Sequence, residues 1–537
     1  MPDPADLILR NGDVLTADPA HPHARALAAR GGRIVAVGED AEVRAHAGAR
    51  TRVIDLAGRT VLPALTDGHA HLLSLGLELD QANLRGCSSP EECARRAHEA
   101  AAARPGGEWL LGRGWDQNRF ADKQFPHHAA LDRLLGERPV WLRRIDGHAG
   151  WANARALALA GVTRTTQDPP GGRIVRDARG EPTGVLIDTA KELVERAIPP
   201  LSEAARERAI LGAQKVALSY GLTEVHEMGI EEPTAAVYRR LAAEGRLLVR
   251  VYAFASGSIR PADNDRVLAH PPERARPDAY FTLRGIKLYA DGALGSRGAA
   301  LLAPYADDPR NTGLIITPGD EIERVARRAL ATGWQVAVHA IGDRGNRMVL
   351  DAFERAGCTA ARDHRFRIEH AQVLALADIP RFARLGVIAA MQPTHATSDM
   401  PWAQDRLGPA RLAGAYAWQR LLGAGARIVG GSDFPVEGVD PVRGGLYAAL
   451  TRQDPGGQPP GGWLADQRMT LEQALRAFSA DAAWAAFEDG WRGRAAVGQA
   501  ADLTVLDRAL GADPARTLGA ARVDLTIVGG RVVHERP

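Results

Sequence analysis

The sequence predicts an α/β protein: a (β/α)8 TIM barrel, a small β-sandwich domain built from both termini, and an inserted subdomain after the first barrel strand. Three observations predict this architecture. Through the middle of the chain, apolar strand-like segments alternate with helical stretches rich in Ala, Leu and Arg, as in βα units around a parallel sheet. Eight such segments occur, which is the strand number of a closed barrel. Both ends of the chain instead contain short strands separated by Gly, Asn and Asp turns.

The β-sandwich prediction rests on the similar composition of the two ends. Residues 1–60 contain short apolar runs such as Arg33–Val37, and residues 491–537 contain Ala501–Asp507 and Val523–Val528. Each end alone has few strands with which to bury a core. We therefore expect the two ends to form one domain, and the alternative is two independent β modules.

The barrel is predicted to span residues 61–490. Its eight strands are predicted at Val61–Thr66, Leu222–Met228, Leu247–Ala255, Phe281–Ala290, Gln335–Ala340, Phe366–His370, Val387–Gln392 and Ala426–Gly430. The interval from about residue 74 to about residue 205 is too long for one βα crossover. It contains Gly- and Pro-rich pieces such as Asp168–Gly172. We expect this interval to be an inserted subdomain that covers the mouth of the barrel.

The composition is that of an ordinary globular protein, with 45% apolar residues, 25% charged residues and a net charge of +2. This charge gives no reason to expect a nucleic acid or a membrane as partner. The three cysteines have no metal-like spacing, and no run of about 18 apolar residues occurs. Residues 1–6 do not resemble a secretory signal. We expect a cytoplasmic protein that forms a homo-oligomer (a dimer) and takes a small-molecule substrate.

Lysine is rare in this chain, and one lysine lies in an apolar, strand-like segment. Among 67 basic residues, only Lys123, Lys191, Lys215 and Lys287 are lysines, and Lys287 lies within Phe281–Ala290. A buried lysine can lose its proton and act as a nucleophile or be modified, whereas a guanidinium cannot. The structural alternative is a lysine that extends to solvent or pairs with a carboxylate.

Imidazoles and a carboxylate follow several of the predicted strands. His69 and His71 are two residues apart, so both side chains face one side of an extended segment. His339 ends the fifth strand, His370 ends the sixth, and Asp433 follows the eighth. Each residue alone fits a structural role at a turn or strand end. Because active sites of this barrel lie at the C-terminal ends of its strands, the set predicts a metal site there, together with the lysine of the fourth strand.

Seven motifs in order carry a resemblance to a known family. They are Val61–His71, Gly112–Asp116, Lys287–Arg297, His339–Asp343, Arg367–Gln372, Gln392–His395 and Gly431–Pro435. The set resembles the binuclear metal-dependent amidohydrolase superfamily, and more closely its amidohydrolase-3 branch, which includes N-substituted formamide deformylase-like proteins. The resemblance spans nearly the whole chain. One departure, Ala64-Leu65 where the family often has Gly-Phe, lies beside the histidine pair and not in it.

The resemblance implies a binuclear metal centre. Its six ligands would be His69, His71 and Asp433 for the more buried ion, His339 and His370 for the second, and Lys287, carbamylated by CO2, between the two. Histidine and carboxylate ligands suit zinc best, with Mn, Fe, Co or Ni as alternatives. A metal-activated bridging hydroxide would cleave a non-peptide C–N bond in an amide, N-formyl or N-acyl amine, with Asp433 as general base and then general acid.

Seven further residues are candidates for substrate contacts: Trp115, Asp116, His148, Trp151, His226, Arg297 and His395. The aromatic residues could equally form the core of the inserted subdomain, and Arg297 could form a structural ion pair. His226 and His395 end the second and seventh predicted strands and would face the mouth. Glu369 and Asp343 are expected to orient the ligand histidines.

Other function classes remain as alternatives. The same metal chemistry serves hydrolases or deaminases that act on a cyclic amide, a carbamate or an ester, and the difference lies in pocket shape. A non-catalytic assembly protein on an amidohydrolase scaffold is a further alternative, but it predicts missing metal ligands, whereas all six are present. No Gly-x-Ser-x-Gly elbow and no Gly-x-x-x-x-Gly-Lys-Ser/Thr loop occur, which disfavours serine hydrolysis and nucleotide-driven chemistry.

Overall fold

The computed structural model describes residues 3–102, 109–144, 149–169, 172–188, 190–295 and 297–537. The chain divides into two compact units, Met1–Leu72 with Ala213–Pro537 and Leu73–Gly212. The first unit contains the barrel and the β-sandwich, and the second is inserted in sequence after the first barrel strand.

An eight-stranded parallel sheet forms the barrel. In order, its strands are Thr66–Ala70, Glu224–Ile230, Arg250–Ser256, Phe281–Tyr289, Gln335–Ala340, Arg367–His370, Ile388–Met391 and Ile428–Gly430. Parallel register pairs His339 with Glu369, so the carboxyl ends of neighbouring strands lie at one edge. The first and eighth strands meet at Gly68, where a Cβ atom would lie 2.7 Å from the carbonyl oxygen of Gly430. Only glycine permits this approach. The eight-stranded parallel sheet confirms the predicted barrel fold.

In sequence, α-helices follow the barrel strands. The α-helices are Leu72–Leu79, Glu203–Ser219, Glu232–Ala243, Pro261–Leu268, Gly319–Thr332, Asp343–Ala356, Ile379–Leu385, Pro393–Asp399, Ala403–Leu407, Trp418–Gly423, Tyr447–Thr451, Leu471–Ala477 and Ala480–Ala485. There are also 3-10 helices at Leu376–Asp378, Pro409–Gly414 and Ala465–Gln467 and a π-helix at Pro441–Leu446. Helix Gly319–Thr332 has acidic residues in its first turn, buries apolar residues at helical spacing, and ends at Gly333 in a left-handed conformation. Across the described segments, no helix is both long and apolar enough to cross a bilayer.

The predicted first barrel strand, Val61–Thr66, is wrong by several residues. Its apolar part belongs to strand Thr60–Pro63 of the β-sandwich, which pairs antiparallel with Leu503–Leu506. The chain then turns at Ala64, where φ is 30°, and the barrel strand itself is Thr66–Ala70. The error arises because the more apolar segment lies in the smaller domain, whereas the barrel strand carries polar residues toward the site.

The β-sandwich combines strands from both ends of the chain. One sheet contains, in order, Arg531–Glu535, Val523–Val528, Leu503–Leu506, Thr60–Pro63, Asp13–Leu15 and His23–Ala24, and the other contains Arg33–Gly38, Ala26–Arg30, Leu7–Arg10 and Arg52–Asp55. Helices Asp40–Arg44 and Pro514–Ala520 accompany them. Leu9, Val61 and Ile527 belong to one buried core, so the two ends bury their apolar surface together.

The inserted unit has a sheet and a core of its own. In order, its strands are Gly172–Arg176, Pro182–Asp188, Ala149–Ala152, Val140–Arg144, Leu110–Trp115 and Ala82–Asn83. Its helices are Pro90–Ala102, Ala129–Leu135, Ala154–Leu159 and Lys191–Glu195, with a short turn at Gln117–Arg119. Buried apolar side chains from these strands and helices form two clusters within the unit.

Candidate active site

Six side chains of metal-binding type converge at the carboxyl ends of five barrel strands. Short distances link them into one cluster: His69, His71, Lys287, His339, His370 and Asp433. Four of them are buried, and His71 and His339 are partly buried. The cluster therefore lies at the end of the barrel where active sites of this fold occur.

The histidine pair and Asp433 form one side of the cluster. Asp433 Oδ1 lies 3.5 Å from His69 Nε2 and 3.1 Å from His71 Nε2. These contacts lack hydrogen-bond geometry, so among the described residues Oδ1 is buried without a donor. A buried acceptor without a donor is destabilising unless another group satisfies it. A divalent ion held by the two imidazoles and this oxygen would satisfy it, so the residues present fit a metal.

The ring nitrogens that face away from the cluster are engaged in hydrogen bonds. His69 Nδ1 lies 2.6 Å from Glu369 Oε2, and His370 Nδ1 lies 2.8 Å from Gln392 Oε1. Both contacts leave Nε2 for a metal, which is the usual arrangement around ligand histidines. The ring of His370 is 4.7 Å from that of His69 and 4.6 Å from that of His339, between centroids.

The local environment favours the neutral form of three of these imidazoles. Burial, together with the charge of Lys287, lowers the pKa of His339 to about 4. Burial also holds the pKa values of His69 and His370 well below the usual range. His339 Nε2 lies 3.5 Å from Gly292 O, which leaves Nδ1 as its candidate ligand atom. A neutral imidazole is the form that binds metal, so these shifts favour a metal site.

Lys287 is buried inside the cluster and does not extend to solvent. The residue is only 1% exposed. Its Nζ lies 3.4 Å from His69 Nε2 and 4.8 Å from the centre of the Tyr289 ring. Among the described residues it forms no salt bridge. Burial lowers its pKa to about 8, although Glu369 and Asp433 oppose the shift. Neither structural alternative from the sequence, solvent exposure or carboxylate pairing, describes this lysine.

Glu369 supports the cluster without facing it. Its carboxylate accepts hydrogen bonds of 2.8 and 3.0 Å from Arg367 and contacts His69 Nδ1 at 2.6 Å. Glu369→Gln should keep the fold but weaken metal binding about 10- to 100-fold, because it loses the negative charge that orients and polarises His69. A metal titration checks this result. Glu321→Gln, at a buried glutamate that pairs with Arg324, is the matched control, and equal affinity in the two variants would contradict the assigned role.

His395 lies close to the predicted ligands. Its Nε2 is 3.7 Å from Asp433 Oδ2, and its ring is 5.6 Å from that of His370. By distance alone, two groups of residues could each hold an ion: His69 with His71 and Asp433, and His370 with His395 and Asp433. The prediction that His395 ends the seventh strand is wrong, because it lies in helix Pro393–Asp399. Its side chain nevertheless lies at the cluster, near enough to compete with His339 as a ligand, and its substrate contact stays a prediction.

His226 does not reach the mouth of the barrel, and its predicted substrate contact is contradicted. The side chain is fully buried in the barrel interior, with Nδ1 2.8 Å from Arg367 and Nε2 3.2 Å from Glu224. The strand Glu224–Ile230 continues past this residue. Alternation along an extended strand explains the error, because a side chain can face the interior several residues before the strand ends.

Arg297 forms a structural ion pair. It donates hydrogen bonds of 3.1 and 2.9 Å to the carboxylate of Asp307, which also accepts from Arg406. This bidentate pair corresponds to the structural alternative stated for Arg297, and it commits the guanidinium away from a substrate carboxylate.

The candidates in the inserted unit have local partners there. Trp115 and Trp151 are fully buried in the unit's core, with ring centroids 6.2 Å apart, which favours the packing alternative for both. Asp116 pairs with Arg144 at 2.8 Å. His148 lies outside the described residues.

Two aspartates with structural roles at the site are not evident from the sequence. Asp67 accepts hydrogen bonds from the backbone and hydroxyl of Ser432, joining the first strand to the loop after the eighth. Asp291 accepts three backbone N–H groups and has Oδ1 3.7 Å from His339 Nε2. The predicted partner of the ligand histidines, Asp343, instead accepts from Leu302 N. Only long-range contacts reveal these roles.

Comparison with known proteins identifies related sequences and a related structure. The model of the amidohydrolase family (amidohydrolase-3) matches residues 52–534. The chain is 35% identical to protein LONG AFTER FAR-RED 3 of Arabidopsis thaliana, over 99% of this chain and 92% of that protein. It is 28% identical to N-substituted formamide deformylase of Arthrobacter pascens, over 94% and 93% of the two chains. A solved metal-dependent hydrolase of Pyrococcus furiosus, itself uncharacterised, superposes with a TM-score of 0.78 and 29% identity, covering 95% of this chain and 99% of that one.

Proposed function

Because the chain belongs to the amidohydrolase family, we propose that it is a metal-dependent hydrolase of a non-peptide C–N bond in an amide, an N-formyl amine or an N-acyl amine. Water would split R–CO–NH–R′ into the carboxylic acid and the free amine. The observation that carries this proposal is the convergence of six side chains of metal-binding type in one cluster. Within it, a buried carboxylate oxygen of Asp433 has no donor among the described residues.

The cluster supports the ligand set proposed from the sequence, since all six side chains lie within it. One ion would be held by His69, His71 and Asp433, the other by His339 and His370, and Lys287 would contribute to both. Such ions lower the pKa of bound water and polarise a substrate carbonyl. Zinc suits the imidazole and carboxylate ligands best.

Lys287 is proposed to carry the carbamate. Its neutral amine would add to the carbon of CO2, with loss of one proton, and give an N-carboxylate with two ligand oxygens. A pKa lowered to about 8 supports this step, because a larger fraction of the amine is unprotonated near neutral pH than for an exposed lysine. The position 3.4 Å from His69 Nε2 places the amine beside the proposed ligands.

Asp433 is proposed to move the proton. It would accept a proton from the attacking water and deliver it to the departing amine nitrogen, which needs that proton to leave as a neutral amine. Support comes from Oδ1, which is directed into the cluster without a hydrogen-bond donor among the described residues. Its backbone N–H donates to His69 O at 2.7 Å, which fixes the carboxylate beside the histidine pair.

The proposed substrate class is inferred from the family and from the name of one relative. The name of the Arthrobacter pascens relative describes deformylation of an N-substituted formamide, so N-formyl amines come first among the candidates. Cyclic amides, carbamates and esters need the same polarised carbonyl and differ in the leaving group.

The experiment is a substrate screen on the zinc-loaded protein and on protein stripped with a chelator. We expect hydrolysis of at least one N-formyl or N-acyl amine, loss of that activity on chelation, and recovery when zinc returns. Activity that survives complete metal removal would contradict the proposal. Zinc-expressed protein that holds no metal and hydrolyses nothing in the screen would favour the non-catalytic assembly protein.

A further inference from the structure

A chain of hydrogen bonds, buried at His395 and partly buried at Asp399, leads away from His395. Its Nδ1 lies 3.1 Å from Gln372 Nε2, the same amide nitrogen lies 3.5 Å from Asp399 Oδ2, and Tyr416 Oη donates to that oxygen at 2.5 Å. His395 and Gln372 are buried, and Tyr416 is 1% exposed. Gln372 is further fixed through its backbone, whose carbonyl oxygen accepts a hydrogen bond from the backbone N–H of Tyr416 at 2.6 Å.

The carboxylate at the end of this chain sets the direction of every hydrogen bond in it. Asp399 can only accept while it is ionised, and burial raises its pKa to about 6, so it is mostly ionised at neutral pH. The group of Gln372 that faces it must therefore be the NH2 and not the oxygen. The second hydrogen of that NH2 points to His395 Nδ1, which must then be the acceptor. In the neutral ring, the proton consequently lies on Nε2.

We infer that Gln372 and Asp399 hold His395 as the Nε2–H tautomer, so that His395 presents a hydrogen-bond donor to the substrate and is not a metal ligand. A protonated Nε2 has no lone pair for a metal. This distinction decides between the two roles that distance alone leaves open for His395. Gln372 and Asp399 are then positioning residues, and His395 is the residue that touches substrate.

The Nε2–H group of His395 faces the site and donates to no acceptor among the described residues. Nε2 lies 3.7 Å from Asp433 Oδ2, beyond hydrogen-bond range, and it forms no hydrogen bond among the described residues. This part of the inference rests on the proposed function: hydrolysis places negative charge on the former carbonyl oxygen, and a preorganised donor stabilises that charge. The substrate oxygen is the acceptor that His395 would meet.

The first pair of variants separates donor from ligand. His395→Ala should keep the metal content of the parent and lower kcat about 10²- to 10³-fold, the usual cost of losing one donor to such an oxygen. His395→Gln, whose amide can donate from a similar position, should recover part of that loss. Metal content is measured by elemental analysis. Loss of metal in His395→Ala would overturn the inference in favour of a ligand.

The second pair tests the direction of the chain. Gln372→Glu replaces the donor facing Nδ1 by an acceptor, so the ring proton should move to Nδ1 and kcat should fall about as far as in His395→Ala, with KM little changed. Gln467→Glu is the matched control, because Gln467 is equally buried and donates to Asp466, and it should leave kcat unchanged. Gln372→Ala, which adds no charge, serves if the glutamate variant does not fold. Unchanged kcat in both Gln372 variants would contradict the inference.

A direct readout needs no substrate. In protein with 15N-labelled histidine, the signal absent from His395→Gln identifies the ring, and its shifts should report an unprotonated Nδ1 in the parent and an unprotonated Nε2 in Gln372→Glu. An unprotonated Nε2 in the parent overturns the inference. Because this readout and the metal content do not depend on turnover, they test the inference even if the proposed substrate class is wrong.

Discussion

Lys287→Arg should leave the chain folded and abolish both metal binding and hydrolysis. Arginine keeps the positive charge but cannot add CO2, so the ligand shared by the two ions would be lost. We expect metal affinity to fall by at least about 100-fold, the upper end of the loss when only a partner of a ligand is removed. Elemental analysis, circular dichroism and the hydrolysis assay measure the three properties.

Two further lysine variants make the result specific. Lys287→Met removes the charge, fits a buried site and cannot be carbamylated, so it should lose metal as Lys287→Arg does. Lys215→Arg changes an exposed lysine on helix Glu203–Ser219 and should change nothing. Metal content and turnover retained in Lys287→Arg would show that Lys287 is only structural.

Asp433→Asn should lower kcat about 10²- to 10⁴-fold, the range that general acid–base catalysis supplies. The amide cannot accept the proton of the attacking water, although its oxygen remains a weak ligand. Folding should survive, because Asp433 has φ 61°, and asparagine tolerates this left-handed conformation better than most residues. Steady-state kinetics at saturating zinc give kcat.

Metal occupancy decides how the Asp433 result is interpreted. The variant should bind zinc when the ion is in excess, so the lost turnover reports proton transfer and not an empty site. Asp466→Asn, outside the cluster, is a control that should keep full turnover. A fully loaded Asp433→Asn enzyme with unchanged kcat would remove Asp433 from its proton-transfer role.

Much of the barrel could be predicted because each strand is an apolar segment that can be identified from residues adjacent in sequence. The fourth to sixth predicted strands differ from the observed strands by at most one residue at either end, since each is an apolar run bounded by turns. His339 and His370 lie at strand ends as predicted, because parallel strands bring their carboxyl ends to one edge. The order of the motifs along the chain, which resembles that of the family, then associated Lys287 with these two histidines.

The errors among the site residues have a common physical cause, which is that burial and hydrogen bonding within a barrel are set by the closed sheet and not by local sequence. His226 lies in a barrel strand, yet its ring nitrogens contact Arg367 and Glu224 inside the barrel and not the site. Asp291 and Gln372 act through hydrogen bonds to residues distant in sequence. No spacing rule relates such partners, so sequence reasoning found the side chains of metal-binding type and Glu369 but not the other groups that position them.

The zinc content of the protein tests the central claim most directly. Protein stripped with a chelator is given zinc in buffer with bicarbonate and in buffer freed of CO2, and zinc per chain is measured by elemental analysis. A carbamylated Lys287 between two ions predicts two zinc ions per chain with bicarbonate and fewer without it. Two ions per chain in both buffers would contradict the carbamate, and no bound zinc in either buffer would contradict the metal centre itself.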